Sequence, residues 1–160
     1  MKVFAAGVSE DGEIAYFEIQ IVPIFGEKDL ITGYIGESLV DSTLLALTLY
    51  RIRKNDWNQK FHIHFSNSEI FKNGPSAGLA IYVKLVFLNS LNKYTALITG
   101  ELDLHGRVIE VGGISQKYEL YLHGNMFNKF LAPIDNFFEG MEGTYIQHID
   151  DINWEGMEWN

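Results

Sequence analysis

The sequence contains no cysteine and no long apolar run. The first absence excludes disulfide bonds, zinc–thiolate sites, iron–sulfur clusters and thiol catalysis, so any nucleophile must be an oxygen or a nitrogen. The second argues against a membrane-spanning helix, which needs about 18 consecutive apolar residues. The first residues also lack the long apolar core of a signal peptide. We therefore expect a soluble, cytoplasmic protein.

Basic residues are also scarce, since 12 Lys and Arg stand against 21 Asp and Glu, for a net charge of −9. An acidic chain repels phosphate backbones, which disfavours general nucleic-acid binding. The excess is concentrated in residues 131–160, which carry seven acids and no Lys or Arg. We interpret this acidic segment as a solvated face or tail, with an interaction surface as the alternative.

Apolar residues, by contrast, are plentiful: 47% of the 160 residues are hydrophobic and 14% are aromatic. This composition suits one compact domain with a real core. We expect a single domain over residues 1–160, in which 134–160 are the least clearly patterned. Predicted strands and helices mix without strict alternation, which favours an α+β fold with mixed sheets and three main helices.

Local patterns predict the elements in some detail. A hairpin forms around Asp11-Gly12, and Pro23 ends its second strand. Helices are predicted at residues 38–54, at 76 to about 91, and at 114–123, where Gly124 closes the last one. Further strands are predicted at 61–65, 96–99, 107–111, 129–132 and 144–149.

The candidate nucleophile is Ser76, in the sequence Gly74-Pro75-Ser76-Ala77-Gly78. This sequence places a hydroxyl at the first turn of a buried helix, between small residues that admit a substrate backbone. Backbone amides near Gly74 and Ser76 could hold an oxyanion there. The alternative is an ordinary helix N-cap serine.

The candidate base is Lys117, one turn into the third predicted helix. To act near neutral pH, its pKa has to fall by about three units from an ordinary value of about 10.4, which requires a dry site. The alternative is a surface lysine on an amphipathic helix. No histidine stands in a recognisable triad context; the histidines are His62, His64, His105, His123 and His148.

Several ordered segments together carry a resemblance to a known family. They are residues 33–37, 62–65 followed by 72–78, 99–102, 106–108, 111–117, and 131–133 followed by Asn136. These segments resemble the proteolytic domain of the Lon proteases, the S16 serine peptidases. The separation between Ser76 and Lys117, 117 − 76 = 41 positions, is close to that family's spacing.

The resemblance implies a function as well as a fold. Ser76 corresponds to the nucleophile and Lys117 to the general base of a Ser–Lys dyad that hydrolyses peptide bonds through an acyl-enzyme. Thr99 corresponds to the threonine that holds the lysine, although it could also be an ordinary strand residue. The implied fold is ribosomal protein S5 domain 2-like, and the implied assembly is a hexameric ring with no cofactor.

His62 and His64 share one strand face, a spacing that would also suit a pair of metal ligands. The sequence places no third ligand beside them. The resemblance instead implies that these histidines support the site structurally, and we expect no metal.

The chain departs from the family pattern in three ways. Asn73 stands where the better-known pattern has Asp. No Gly-x-x-x-x-Gly-Lys-Ser/Thr motif occurs, so we expect no ATPase module in this chain and a separate ATPase as a possible partner. The segment after Pro133 is short and acidic, contains Trp154 and Trp159, and resembles nothing in the family.

Three functions therefore stay open. The first is a Lon-type endopeptidase that cuts peptides and unfolded proteins without hydrolysing ATP itself. The second is a weak or inactive Lon-like subunit that acts as a binding or assembly module of a larger ring. The third is a small ligand-binding domain whose glycine turns, at Gly106, Gly112 and Gly113, approach a phosphate.

Overall fold

A computed structural model of the chain, which describes residues 1–152, contains the predicted hairpin. Its strands are β1 (Lys2–Val8) and β2 (Ile14–Ile24), antiparallel, with Val3 opposite Ile19. The prediction that Pro23 ends β2 is wrong, because the strand continues through Pro23 to Ile24. Pro23 lies beyond the part of β2 that pairs with β1, so its missing N–H costs no bond on that side.

The hairpin lies in the middle of a seven-stranded sheet of order β3-β4-β2-β1-β5-β8-β9. Four of its six pairings are parallel, and a separate two-stranded hairpin joins β6 to β7. The remaining strands are β3 (Leu30–Thr32), β4 (Lys60–Phe65), β5 (Thr95–Ile98), β6 (Glu101–Leu102), β7 (Val108–Ile109), β8 (Lys129–Pro133) and β9 (Thr144–Ile146). The sequence did not predict β3, because three residues are too short to show a period.

Within the described residues, three α-helices complete the fold: α1 (Glu37–Lys54), α2 (Gly78–Val86) and α3 (Ile114–His123). The mixed α/β architecture with three helices confirms the coarse prediction, and the bounds of α3 are those predicted. Two predicted strands are shorter than expected, since β7 covers only part of 107–111 and β9 only part of 144–149.

The predicted helix from Ser76 to about residue 91 is wrong at both ends. Ser76 lies in a separate 3₁₀ turn (Pro75–Ala77), and α2 proper begins at Gly78. At the other end α2 stops at Val86, and the Ser90 hydroxyl accepts a hydrogen bond from the Asn92 amide. Serine and asparagine favour such local turns over continued helix.

The core has a layer on each side of the sheet. Helix α2 packs between α1 and the face formed by β1, β2 and β5, with Leu79, Ile81 and Val83 fully buried. Helix α3 packs on the opposite face against β1 and β2. A second, smaller aromatic cluster that includes Tyr118, Phe127 and Phe130 covers that face. Strand β1 therefore has side chains on both layers.

Part of the acidic segment is engaged in local contacts. Asp150 forms an ion pair with Arg53, and the Asp151 carboxylate accepts hydrogen bonds from the amides of Gln147 and His148. Trp154 and Trp159, with the last two acids of the segment, lie outside the described residues. Within residues 1–152, no helix combines the length and the apolar character that crossing a bilayer demands.

Candidate active site

A cavity of about 730 Å³ opens between three parts of the chain. The walls are the ends of β1 and β2 near the hairpin turn, the loop of residues 70–76, and the loop that leads into α3. Ser76 and Lys117 both line it. The two candidate groups, 41 positions apart in sequence, therefore face the same space.

Ser76 is presented by a turn that its neighbours dictate. Gly74 has φ of +114°, which side chains rarely tolerate, and Pro75 then starts the 3₁₀ turn with its own fixed φ. The Ser76 carbonyl accepts a hydrogen bond from the Gly100 amide at 2.9 Å. Among the described residues, its half-buried hydroxyl has no hydrogen-bond partner, so that oxygen is free to meet a substrate.

Lys117 is almost completely buried, with 3% of its surface exposed. Its Nζ donates one hydrogen bond, to Thr99 Oγ1 at 3.0 Å, and within residues 1–152 it has no carboxylate partner. Burial lowers the pKa of Lys117 from 10.5 to about 8. The N-terminal end of α3, where this lysine lies, disfavours a cation as well. The lowered pKa brings the neutral amine closer to physiological pH than an ordinary lysine reaches.

The start of α3 is held against the sheet by a glycine. Gly113 has φ of +68°, and a Cβ at this position would lie 2.6 Å from a methyl carbon of Val8. No larger residue fits this approach of α3 to the end of β1. The close contact places Lys117, one turn later, over the cavity.

Ser76 and Lys117 are linked through residues 99 and 100. The Gly100 amide binds the Ser76 carbonyl, and the preceding residue, Thr99, binds the Lys117 amine. The Gly100 carbonyl in turn accepts from the Leu79 amide at 3.0 Å, which ties this segment to the start of α2. The structure shows no direct hydrogen bond between the Ser76 hydroxyl and the Lys117 amine among its described residues.

Asn73 caps a distant helix. Its Oδ1 accepts hydrogen bonds from the amides of Ser38 and Leu39, at 3.1 and 3.2 Å, and from the Ser38 hydroxyl at 2.7 Å. These amides belong to the first turn of α1, so Asn73 satisfies donors that the helix itself leaves unpaired. A neutral amide oxygen serves this purpose, although a carboxylate would also suit a helix N-terminus.

One of the two predicted oxyanion donors is already occupied. The Gly74 amide donates to the Ser38 hydroxyl at 2.8 Å and is not free to meet a substrate. The Ser76 amide has no acceptor within the described part of the chain. The geometry therefore leaves Ser76 as the available donor of the predicted pair.

The structure does not bring His62 and His64 to the cavity. Both lie on the face of β4 that points away from the core, where Thr32 Oγ1 is 2.9 Å from His62 Nε2 and 2.7 Å from His64 Nδ1. Within residues 1–152 no group of three or more His, Asp or Glu side chains could hold a metal ion. The glycines of the phosphate hypothesis also do not converge, because Gly112 and Gly113 line the cavity whereas Gly106 packs against Ile149.

Sequence reasoning missed Lys72 as a residue of the site. Its side chain is 5% exposed, and its Nζ donates to the carbonyls of Gly33, Asn67 and Ile70 at 2.6, 2.6 and 2.7 Å. Burial lowers its pKa, while three acceptors favour the charged form. Nothing in the local sequence signals this burial, because a lysine beside Asn-Gly-Pro is also what an exposed loop would show.

Comparison with known proteins finds similarity to Lon proteases both in a family match and in individual relatives. Residues 5–142 match the family described as the Lon protease (S16) C-terminal proteolytic domain. A peroxisomal Lon protease homolog 2 from Oryza sativa subsp. indica is 36% identical over 166 residues, covering 88% of this chain and 18% of the relative. The Lon protease of Nitratidesulfovibrio vulgaris is 28% identical over 161 residues, covering 88% of this chain and 19% of the relative. The chain thus spans less than a fifth of the length of these curated relatives.

Proposed function

We propose that this chain, which belongs to the Lon protease (S16) C-terminal proteolytic domain family, is a serine endopeptidase with a Ser76–Lys117 dyad. One observation carries the proposal. Among residues 1–152, a buried amine with a lowered pKa and a single hydroxyl partner lines the same cavity as a serine hydroxyl without a partner. A buried lysine that is short of acceptors is destabilising, and a role as a base gives that arrangement a chemical purpose.

The proposed reaction begins with the neutral Lys117 amine. It accepts the Ser76 proton as Ser76 Oγ attacks the peptide carbonyl, and the Ser76 amide donates to the oxyanion that forms. Lys117 then passes the proton to the leaving amine, which departs and leaves an acyl-enzyme. Water attacks the ester with Lys117 again as base, which releases the acid and restores the Ser76 hydroxyl.

Thr99 has a positioning role in this scheme. Its hydroxyl is the hydrogen-bond partner of Lys117 Nζ among the described residues, so it directs the amine without supplying a charge. A carboxylate in that place would favour the ammonium form and remove the base. The hydroxyl therefore orients the lysine and leaves its pKa low.

The wider setting of the activity is proposed from the family. We propose a single domain over 1–160 with the Lon proteolytic-domain fold, ribosomal protein S5 domain 2-like, that uses no cofactor and assembles as a homo-oligomeric ring. The 160 residues contain no Gly-x-x-x-x-Gly-Lys-Ser/Thr motif, and a separate ATPase is part of the proposal as a possible partner. Its substrates would be peptides and unfolded proteins, and the cytoplasmic location stays a prediction.

A weak or inactive subunit of a larger ring is the second candidate. The observations that favour it are the occupied Gly74 amide and the lack of a direct Ser76–Lys117 hydrogen bond within residues 1–152. The neutral Asn73, which stands where the family pattern has Asp, also favours this candidate. Catalytic hydrogen bonds often form only with substrate bound, so these observations do not outweigh the buried amine.

Hydrolysis of a fluorogenic peptide and of casein decides between the two. We expect the wild-type chain to cleave both, and Ser76→Ala to lower the rate by about 10³-fold or more. Ser42→Ala is the matched control, because this serine lies on α1 and its hydroxyl donates to the Ser38 carbonyl. Cleavage no faster in the wild type than in Ser76→Ala would overturn the peptidase and favour the inactive subunit.

A further inference from the structure

The proposed mechanism makes no use of Lys72, although this lysine is buried in the wall of the same cavity. An ammonium group has three N–H donors, and each of the three carbonyls of Gly33, Asn67 and Ile70 accepts at 2.7 Å or less. The donors and the acceptors therefore match in number. The side chain joins one loop, residues 33–36, to a second, residues 66–74.

The main chain of Lys72 joins the same two loops. Its amide donates to the Tyr34 carbonyl at 3.0 Å, and its carbonyl accepts from the Gly36 amide at 2.8 Å. Counting the side chain, five hydrogen bonds converge on this residue. Main chain and side chain of this one residue therefore hold the two loops together.

The first loop adopts an unfavourable backbone path to make these bonds. Gly33 has φ of +124°, and a Cβ there would lie 2.3 Å from the Phe65 carbonyl oxygen. Tyr34 has φ of +59°, a left-handed conformation that is costly for a bulky residue. The carbonyls of both residues bind Lys72, so the lysine holds a conformation that the chain would not adopt alone.

The second loop carries an apolar wall of the cavity. We define this apolar wall as Phe17, Ile70 and Phe71, all of which line the cavity. The Phe71 ring packs edge-to-face on Tyr34 with centroids 5.2 Å apart, and Lys72 Nζ lies 5.8 Å from the Phe17 ring centroid. Lys72 thus contacts or restrains every member of the wall.

We propose that Lys72 is a positioning residue that sets the apolar wall and thereby the preference of the site for a bulky apolar substrate side chain beside the scissile bond. This proposal rests on the peptidase function proposed above. Ile70 and Phe71 expose 42% and 55% of their surfaces, so apolar area is available for a substrate to cover. A wall that moves loses its fit to a large side chain but affects a small one little.

Two fluorogenic peptides that differ only in Phe or Ala on the amino-terminal side of the scissile bond test this. We expect the wild-type chain to prefer the Phe peptide in kcat/KM by about tenfold or more. Lys72→Met should lower that preference at least about fivefold, mainly by raising KM for the Phe peptide. Loss of folded protein alone lowers both rates equally and leaves the preference unchanged.

Arg51→Met is the matched control. Arg51 is another buried cation, paired with Asp29 and bonded to the Gln59 carbonyl, and it does not line the cavity. The Arg51→Met variant should be less stable than the wild type, whereas its preference for the Phe over the Ala peptide should stay within about twofold of the wild-type value. Should Lys72→Met not fold, Lys72→Gln, whose amide keeps two donors, is expected to show the same change at a smaller size.

Two readouts need no catalysis. In Lys72→Met, amide hydrogen exchange over residues 33–36 and 66–74 should be about tenfold faster or more, with no such change there in Arg51→Met. When Lys72→Met is added to the Ser76→Ala chain, binding of the Phe peptide should weaken, whereas the affinity for the Ala peptide should change by no more than about twofold. Unchanged exchange, an unchanged preference, or no difference in binding would each overturn the role of Lys72. If wild-type cleavage does not depend on Ser76, the peptidase function alone is overturned. The role of Lys72 is then still tested by hydrogen exchange and by peptide binding, neither of which needs catalysis.

Discussion

Two buried lysines in one cavity, Lys72 and Lys117, have opposite surroundings. Lys72 Nζ donates to three carbonyls at 2.6–2.7 Å, whereas Lys117 Nζ donates to one hydroxyl at 3.0 Å. Both side chains are at least 95% buried, and burial lowers the pKa of each. Their small exposed fractions therefore do not distinguish them, but their hydrogen-bond partners do.

The difference shows how a fold assigns separate tasks to the same residue type. Three carbonyl acceptors compensate the lost hydration of an ammonium group, so Lys72 can stay charged and join two loops. One hydroxyl compensates little, and burial lowers the pKa of Lys117 to about 8. The first lysine is suited to holding structure and the second to moving a proton.

The largest effect should come from removing the amine of Lys117. Lys117→Met should lower peptidase activity by about 10³-fold or more, because Ser76 loses its base. Lys117→Arg should not restore activity, since a guanidinium stays protonated in proteins. Steady-state hydrolysis of a fluorogenic peptide measures both. If Lys117→Met keeps activity within about tenfold of the wild type, Lys117 is not the base and does not differ from Lys72 in that respect.

The same two lysines should affect stability with opposite signs. Lys72→Met leaves three carbonyls without a donor and should lower the free energy of unfolding at pH 7 by about 3 kcal/mol. Lys117→Met should raise it by about 2 kcal/mol, because the lowered pKa corresponds to a cost of about 3 kcal/mol and one hydrogen bond to Thr99 is lost.

Urea unfolding at several pH values checks these signs. The folded pKa of Lys117, about 8, lies below its unfolded value of 10.5, so the unfolded chain binds more protons between them. Wild-type stability from this group should rise with pH across that window, and the gain from Lys117→Met should shrink accordingly. A gain that persists at pH 11 would contradict the assignment of a neutral buried amine.

The pH dependence of catalysis should report Lys117 and not Lys72. Wild-type kcat/KM should rise about tenfold per pH unit below pH 8 and level off above it, since only the neutral amine accepts the Ser76 proton. Thr99→Val, which removes the hydroxyl partner, should lower the plateau by about tenfold. A profile that is flat between pH 6 and 9 would show that Lys117 does not supply the base.

The smallest effect should come from Asn73, at the edge of the cavity. Asn73→Ala removes the acceptor for the first turn of α1 and should lower the free energy of unfolding by about 1 kcal/mol. Asn73→Asp keeps that acceptor and adds charge at a helix N-terminus, so stability should stay within about 1 kcal/mol. It should also move the pH midpoint of kcat/KM upward, because a carboxylate on the cavity wall favours the ammonium form of Lys117. An unshifted midpoint would show that residue 73 acts only as a cap.

Much of the fold follows from local pattern. The hairpin around Asp11-Gly12, helix α1 and helix α3 were predicted to within a residue or two, because alternation and helical spacing are written in adjacent residues. Strand β3 was missed, and α2 was predicted too long. A three-residue strand has no period of its own, and apolar spacing alone would continue α2 past Val86, where it ends.

Some features of the candidate site were likewise predicted from local sequence, and others were not. Glycine and proline around Ser76 identify a hydroxyl on a tight turn, and family resemblance names Lys117 as its partner. The engagement of the Gly74 amide by Ser38 and the capping of α1 by Asn73 could not be predicted, because both partners come from 34 to 36 positions away. The position of His62 and His64 on the outer face of β4 likewise depends on how the sheet is covered.

The amino-acid sequence by itself determined the order of most of the elements, the candidate nucleophile and the residue types available as a base. Tertiary structure decided the more distant partners of the two lysines, since the Gly33 carbonyl comes from 39 positions before Lys72 and Thr99 from 18 before Lys117. The other two acceptors of Lys72, at Asn67 and Ile70, lie nearby in the chain. The free energy of a buried charge depends on the groups within a few ångströms in space, and chain folding brings those groups together from distant positions.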